Sequence, residues 1–377
     1  MDWKLLRSCS CILSWLAGAM LWYTLPTSGY SPILTCYYPG YLDIVTPTEL
    51  DPHLCTHLIY AFAYVKDGLI APASDVEESK YRNLILLKEK NPDLKVLLSV
   101  QGSLSPVVKQ KSERERFSRD IVALLQNFGF DGLDVNWEYP TPVEKEGFLM
   151  LLQEIRRASD GSSLILTAAV PAYRHLIQTC YDAPKMAEVV DSVHLMTYDL
   201  HKAEPRNLGV TAFNSPLYAP RDDPTFDSME SATRAWEEMG MPKHKIIIGI
   251  PAYGITFTLM NSSNHGFHAP VSGPGTPGKV LYTTGYYSYT ESCWLLANGA
   301  TRVVDTITQT PYMFLDTLWV SYDDVESVAK KSKWIRQKRY GGAMVWNLQL
   351  DDVTGACTGT TFPLLKTIKR VSQGENP

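Results

Sequence analysis

Polar and apolar side chains alternate along Phe130-Asp131-Gly132-Leu133-Asp134-Val135-Asn136-Trp137-Glu138-Tyr139-Pro140. An extended strand sends successive side chains to opposite faces, so Gly132, Asp134, Asn136 and Glu138 share one side while Leu133, Val135 and Trp137 share the other. Pro140 has no backbone donor and marks the strand's end. The segment reads as a buried strand, and its polar row is costly to bury: inward carboxylates need partners or shifted proton affinities. A row ending in Glu138 at a C-terminal strand tip suits a parallel barrel, where reactive groups gather at that rim.

Holding such a row requires a sheet around it. Apolar strands are predicted at Ile33–Tyr38, Leu54–Val65 and Leu94–Val100, which makes the polar-row strand the fourth. Four more are expected at Leu164–Val170, Ser192–Tyr198, Lys245–Pro251 and Gly342–Leu348. Between them lie a polar helix at Glu77–Lys90 and one over Ser112–Phe128, with Phe117, Ile121, Leu124, Leu125 and Phe128 at helical spacing. Further helices are expected near Lys145–Ala158, Ala183–Val190, Met229–Met239 and Asp323–Arg339, and an apolar one near Phe362–Ile368. Residues 252–320, rich in Gly, Thr, Tyr and Pro, break the rhythm and read as an insertion of short strands and turns without a long helix. Eight strands alternating with helices, with no GxGxxG after the first strand, predict an α/β fold, a (β/α)8 TIM barrel, rather than a doubly wound dinucleotide fold.

The 377 residues, 45% hydrophobic and 20% charged, suffice for one large domain or two ordinary ones. A net charge of −5 argues against a broad nucleic-acid-binding surface and favours a neutral or weakly charged ligand. The 9 Trp and 21 Tyr fit sugar stacking, although core and rim packing would use the same residues. The basic run Lys330–Arg339 reads as a solvated helix face, with anionic-polysaccharide binding as the alternative. Residues 1–29 combine Lys4 and Arg7, an apolar run from Cys11 to Trp22, and Thr27-Ser28-Gly29; this is the pattern of a secretory signal peptide, with a retained signal anchor as the alternative. The mature chain, 30–377, is therefore expected to be secreted and extracellular. Its five cysteines allow two disulfides and a free thiol in an oxidising compartment, and none has metal-ligand spacing, so no metal is expected. Asn261-Ser262-Ser263 is an acceptable glycosylation sequon.

The polar-row segment is also similar to the FDGLDxDxEYP signature of glycoside hydrolase family 18, the chitinases and chitinase-like lectins of animals. The resemblance runs along the mature chain through LDPHLCTHLIYAFA (50–63), KNPDLKVLLSV (90–100), LMTYD (195–199), NSPLY (214–218), IGIPAYG (248–254), SGPGTPG (272–278), DDVESV (323–328) and GGAMVWNLQLDD (341–352). It looks closest to the secreted acidic mammalian chitinase and chitotriosidase type, with their non-hydrolytic relatives. The resemblance implies an α+β insertion between strands seven and eight, disulfides Cys36–Cys55 and Cys293–Cys357 with Cys180 left over, and no cofactor. It also implies retaining hydrolysis in which the substrate's own 2-acetamido oxygen attacks the anomeric carbon. Glu138 stands at the position of the general acid/base, Asp134 supports it from deeper in the barrel, and Asp131 serves strand geometry. Tyr198 and Asp199 match the pair that contacts the acetamido group and the sugar; Trp346 matches the floor of the cleavage subsite. Tyr37, Tyr41, Tyr253, Asn214 and Met196 complete the implied substrate groove.

Departures from the pattern carry the functional expectation. Asn136 stands where active members have Asp; an amide still accepts the acetamido N–H, but supplies neither a charge for the oxazolinium ion nor like-charge coupling to Glu138. Gln101-Gly102-Ser103 replaces GGW and removes a stacking wall, while Tyr41 stands in for a Trp platform. Ile255 replaces an arginine, and Lys202, in place of Gly, is expected to protrude into the groove. The expected partner is chitin or chitooligosaccharide, with no nucleic acid, no membrane after signal removal, and a monomeric state. Because no Ser/Thr/Pro hinge or cysteine-rich module follows the barrel in this sequence, grip on polymer is expected to come from the cleft. The reading is a chitin-oligomer-binding protein with hydrolysis lost or strongly impaired; the alternatives are an active endo-chitinase using Glu138 and a secreted signalling or matrix scaffold.

Overall fold

A computed structural model describes residues 31–66, 69–70, 72, 74–201, 209–220 and 227–376. The expected signal segment and Lys202 lie outside them. Eight parallel strands, Ile33–Pro39, His57–Lys66, Lys95–Gln101, Gly132–Asn136, Ile165–Pro171, Ser192–Met196, Ile246–Pro251 and Gly342–Trp346, pair in chain order. The first also pairs with the eighth, Ile33 opposite Gly342 and Cys36 opposite Val345, which closes the barrel. The predicted helices occur at Asp75–Lys90, Lys111–Phe128, Lys145–Ala158, Ala183–Val189, Met229–Glu238, Val325–Lys338 and Pro363–Gln373. Arg174–Cys180 is an additional helix; it buries only Ile177 and Cys180, too short an apolar stripe to show as periodicity.

The entry into the fourth strand shows how sequence sets local geometry. Phe117, Ile121 and Leu125 face the core from Lys111–Phe128, and Gly129, at φ 83°, ends that helix in the left-handed region. Asp131 then anchors the coming strand: its carboxylate accepts the Val96 N–H at 2.8 Å and the Lys88 ammonium at 2.8 Å. Gly132 is required by crowding, because a Cβ there would meet the Ile165 carbonyl oxygen at 2.3 Å. Leu133, Val135 and Trp137 are buried, and Trp137 packs edge-on against Phe148 of the Lys145–Ala158 helix at 5.7 Å. The strand ends at Asn136, so Glu138 sits two residues beyond it rather than on its tip, and the sixth strand likewise ends at Met196, ahead of Tyr198 and Asp199.

A second sheet, antiparallel and six-stranded, lies between the seventh and eighth barrel strands. Its strands are Tyr253–Leu259, Val271–Pro274, Tyr286–Ser288, Thr301–Asp305, Thr310–Leu315 and Leu318–Ser321. A helix at Tyr289–Ala297 accompanies it, fixed by a capping box in which Ser288 accepts from the Glu291 N–H and Glu291 accepts from Ser288. This helix is not apparent in the sequence because its nine residues carry apolar side chains around the helix and give little periodic signal. Disulfides join Cys36 to Cys55 and Cys293 to Cys357, as the resemblance implied, and Cys180 is a buried free thiol. Among the described residues no helix is long and apolar enough to cross a membrane.

The basic run is not uniformly solvated. Lys331 is buried, donating to Asp323 at 2.6 Å and to Ser215 at 3.0 Å, while Ser327 donates to the other Asp323 oxygen at 2.7 Å. Burial pushes Asp323 up and Lys331 down, so the pair persists only because each offsets the other's desolvation. Replacing Lys331 by Met strands the carboxylate, and a loss of about 3–5 kcal/mol is expected, read as a lower urea midpoint. The double replacement Lys331→Met/Asp323→Leu is expected to recover most of that loss.

Candidate functional site

A cavity of about 320 Å³ opens at the barrel's C-terminal mouth, bordered by Asn136, Glu138, Tyr198, Asp199, Trp346 and Tyr37, together with Phe62, Gln101, Tyr139, Ala169, Tyr173 and Met196. Each barrel strand delivers its inward side chains to successive layers, and the layer beneath the cavity is polar. Asp134, fully buried, accepts from Thr167 at 2.6 Å, Ser99 at 2.7 Å and Tyr37 at 2.9 Å. The Tyr37 oxygen lies 3.0 Å from His194 Nδ1, consistent with an Nδ1–H tautomer, and that nitrogen is 3.4 Å from Asp134. Four neighbouring inward positions of the barrel thus converge on one carboxylate.

Asn136 occupies the next layer up. It is 3% exposed, and its Oδ1 has no hydrogen-bond partner within the protein. Above it Glu138 is exposed to the cavity. The floor is Trp346, stacked on Phe62 at 5.5 Å and 21° and braced by Tyr37 at 5.4 Å. Carboxyl, amide and indole therefore border one space, an arrangement that can protonate an oxygen, accept an N–H and stack an apolar ring face.

Asp199 forms the opposite wall with a backbone φ of 56°, in the left-handed region that non-glycine residues rarely adopt. Three bonds hold it: its N–H donates to Asn214 Oδ1 at 2.8 Å, its carbonyl accepts from Tyr173 at 2.9 Å, and its carboxylate accepts from Tyr253 at 2.7 Å. Asn214 is buried behind this wall, also donating to the Tyr253 carbonyl at 3.1 Å, so it orients Asp199 rather than lining the cavity. Tyr253, likewise outside the lining, acts through the same carboxylate. Gly249 of the seventh strand leaves room for Tyr198, since a Cβ there would meet that ring at 2.8 Å. Burial first, then neighbouring carboxyls, pushes the hydroxyls of Tyr37, Tyr198 and Tyr253 well above the ordinary range, so all three remain neutral donors.

Of the other expected positions, Tyr41 stands away from this cavity and is 59% exposed, and Ser103 is exposed just past the third strand. Ile255 is buried in the second sheet. Ser99, Thr167, His194, Phe62, Tyr139 and Tyr173 were not anticipated. Ser99, Thr167 and His194 carry a faint signal, as polar residues inside otherwise apolar barrel strands; Phe62 and Tyr173 carry none, since apolar and aromatic residues at strand ends are common.

A parallel barrel whose mouth sets a carboxylic acid over an aromatic floor is the architecture of barrel glycosidases. The sequence model for Glycosyl hydrolases family 18 matches residues 33–351, and the chain belongs to that family. It is 37% identical over 371 residues to mouse chitotriosidase-1, covering 91% of this chain and 78% of that protein. It is 36% identical over 361 residues to human chitinase-3-like protein 2, covering 89% of this chain and 92% of that one. Among solved structures, human YKL-39, described as a pseudo-chitinase with retained chitooligosaccharide binding properties, superposes with a TM-score of 0.87 at 34% identity, covering 91% of this chain and all of that one.

The buried carboxylate makes a pH-dependent contribution. Burial pushes Asp134 up, but bonds from His194, Thr167 and Ser99 outweigh it and hold the group below its ordinary value of 3.8. The unfolded chain lacks those donors and binds the proton more readily, so this stabilisation is present above 3.8 and is lost as pH falls through the lower folded value. Asp134→Asn is expected to lower the melting temperature at neutral pH and to give a shallower decline below about pH 4, measured by thermal unfolding across the acid range.

Proposed function

We propose that this protein is a chitinase-like protein that holds β-1,4-linked N-acetylglucosamine oligosaccharides, as found in chitin, in the barrel-top cleft, with hydrolysis lost or strongly impaired. The observation that carries this reading is Asn136, a buried amide oxygen without a protein partner, placed between the Asp134 layer and Glu138. Such an oxygen can accept an acetamido N–H, and Trp346 can take the apolar face of the ring. In substrate-assisted hydrolysis the acetamido group becomes cationic as the ring closes, and a neutral amide does not stabilise that charge. Asp134 does not substitute for it, because its oxygens are committed to Tyr37, Ser99 and Thr167.

The reading includes loss of residues 1–29, a monomeric state, secretion into an oxidising compartment, which the two disulfides support, and glycosylation at Asn261, which is exposed beyond the Tyr253–Leu259 strand. Calorimetry with a chitooligosaccharide series, beside a chromogenic chitobioside assay on the same preparation, tests the central claim. Binding with little turnover is expected. Asn136→Asp is expected to raise the rate by about 10²–10³-fold, and Glu138→Gln to abolish the gain. Wild-type cleavage at rates ordinary for chitinases, unchanged by Asn136→Asp, would establish the active-enzyme alternative.

A further inference from the structure

We propose that Gln101 is a specificity-determining residue of the cleft, which reads the free 3-hydroxyl of the sugar whose acetamido group is held by Asn136. The proposal rests on the carbohydrate reading above and adds which ring substituents the ligand must carry. Gln101 ends the third strand, and its register partner on the fourth is Asn136. Both residues line the central cavity. Neighbouring strands lie about 4.8 Å apart, so partners in register project side by side from the same face. The family's GGW places a glycine at this position, so a side-chain amide here is a property of this chain.

Neither amide is committed to the fold. Asn136 Oδ1 is buried without a protein partner, and among the described residues no hydrogen bond involves the Gln101 side chain. The Gln101 backbone is fixed: it pairs with Tyr64 on one side and Asn136 on the other, and Gly102, at φ 123°, turns the chain immediately after it. The free amide is uncharged, both donates and accepts, and reaches one methylene further from its strand than Asn136 does. Across Asn136 the neighbour is different. Ala169 of the fifth strand stands in register there, and Ala169 and Met196 border the cavity with apolar groups.

These neighbours give the bound ring a direction. With the acetamido N–H on Asn136 Oδ1, carbon 2 of the sugar sits over the fourth strand and the acetyl methyl turns toward Ala169 and Met196. Carbon 1 lies toward Glu138, whose carboxyl meets the glycosidic oxygen. The other neighbour of carbon 2 is carbon 3, and its hydroxyl falls on the third-strand side, within the span of Gln101. A hydroxyl both donates and accepts, and a carboxamide answers it in either role. Glu138, Asn136 and Gln101 thus read three consecutive substituents, on carbons 1, 2 and 3. A sugar alkylated at oxygen 3, such as the lactyl-bearing residue of bacterial cell-wall glycan, has no hydroxyl hydrogen to give and brings bulk against Gln101. The cleft therefore favours chitin-type chains over such glycans.

The test is a coupling measurement by calorimetry, with the β-1,4 N-acetylglucosamine trisaccharide and a synthetic analogue in which every 3-hydroxyl is replaced by hydrogen. Gln101→Met keeps the length of the side chain and removes its amide. It is expected to weaken binding of the trisaccharide by about three- to tenfold. The affinity lost on deoxygenation is expected to be larger in the wild type than in Gln101→Met by a similar factor, because the same contact is removed only once. A merely structural effect of the substitution would not depend on the ligand's hydroxyl. Unchanged trisaccharide affinity in Gln101→Met, or equal losses on deoxygenation in both proteins, would overturn the role of Gln101 and leave the Asn136 and Trp346 site standing. A wild-type protein that binds no chitooligosaccharide would overturn the carbohydrate reading and this role with it.

Discussion

The site is built around a single buried charge. Asp134 sits without solvent inside the barrel, and an isolated carboxylate there would be prohibitively unfavourable. It is tolerated because the first, third, fifth and sixth strands each turn a polar side chain toward it: Tyr37, Ser99, Thr167 and His194. Those bonds fix more than the carboxylate. Tyr37 is simultaneously a brace for Trp346, so the aromatic floor and the buried anion share a supporting group. Loss of the carboxylate would leave several buried donors unmatched at once, which ties the geometry of the cleft to the closure of the barrel.

Moving up and past the fourth strand, the polar row passes from buried carboxylate to amide to rim carboxyl: Asp134, Asn136, Glu138. A charge at the middle position would interact with both neighbours through a low-dielectric interior, raising the proton affinity of each. With asparagine there, the carboxyl at the rim and the anion at the base are separated by a neutral dipole. The wall across the cavity is retained independently of this change. Asp199 keeps its left-handed backbone through Asn214, Tyr173 and Tyr253, and Asn214 adjoins Ser215, which is bonded to Lys331. A buried ion pair between Lys331, on the helix before the last strand, and Asp323, just ahead of that helix, thereby steadies the segment that orients Asp199.

Much of this architecture is legible in the residues. Alternation along 130–140 identifies both the strand and its inward face, because a period of two is unambiguous when one side is polar and the other is Leu, Val and Trp. The barrel strands follow from apolar runs separated by helical spacing. Other features leave no local trace. The Arg174–Cys180 helix is too short for periodicity, and Asn214 reads like a groove residue because its side chain type suits both binding a ligand and holding a backbone. His194 joins Asp134 across sixty residues of sequence, a proximity that only barrel closure creates.

Grip and chemistry draw on different physical terms in such a cleft. In the proposed reading, stacking on Trp346 and acceptance of an N–H by Asn136 would act on a neutral ground-state sugar and would not require charge at residue 136. Rate acceleration requires interactions that strengthen only as charge develops, and an amide dipole gains little at that moment compared with an anion held in the same place. One replacement at the middle of the row can therefore lower turnover by orders of magnitude while the surfaces that hold the ligand persist. The stability of the barrel is also insulated from the change, since the bonds that support Asp134 come from Tyr37, Ser99, Thr167 and His194 rather than from residue 136. On the proposed reading, the polar row's base maintains structure, its rim would carry the proton, and the intermediate position would decide whether the two cooperate in catalysis.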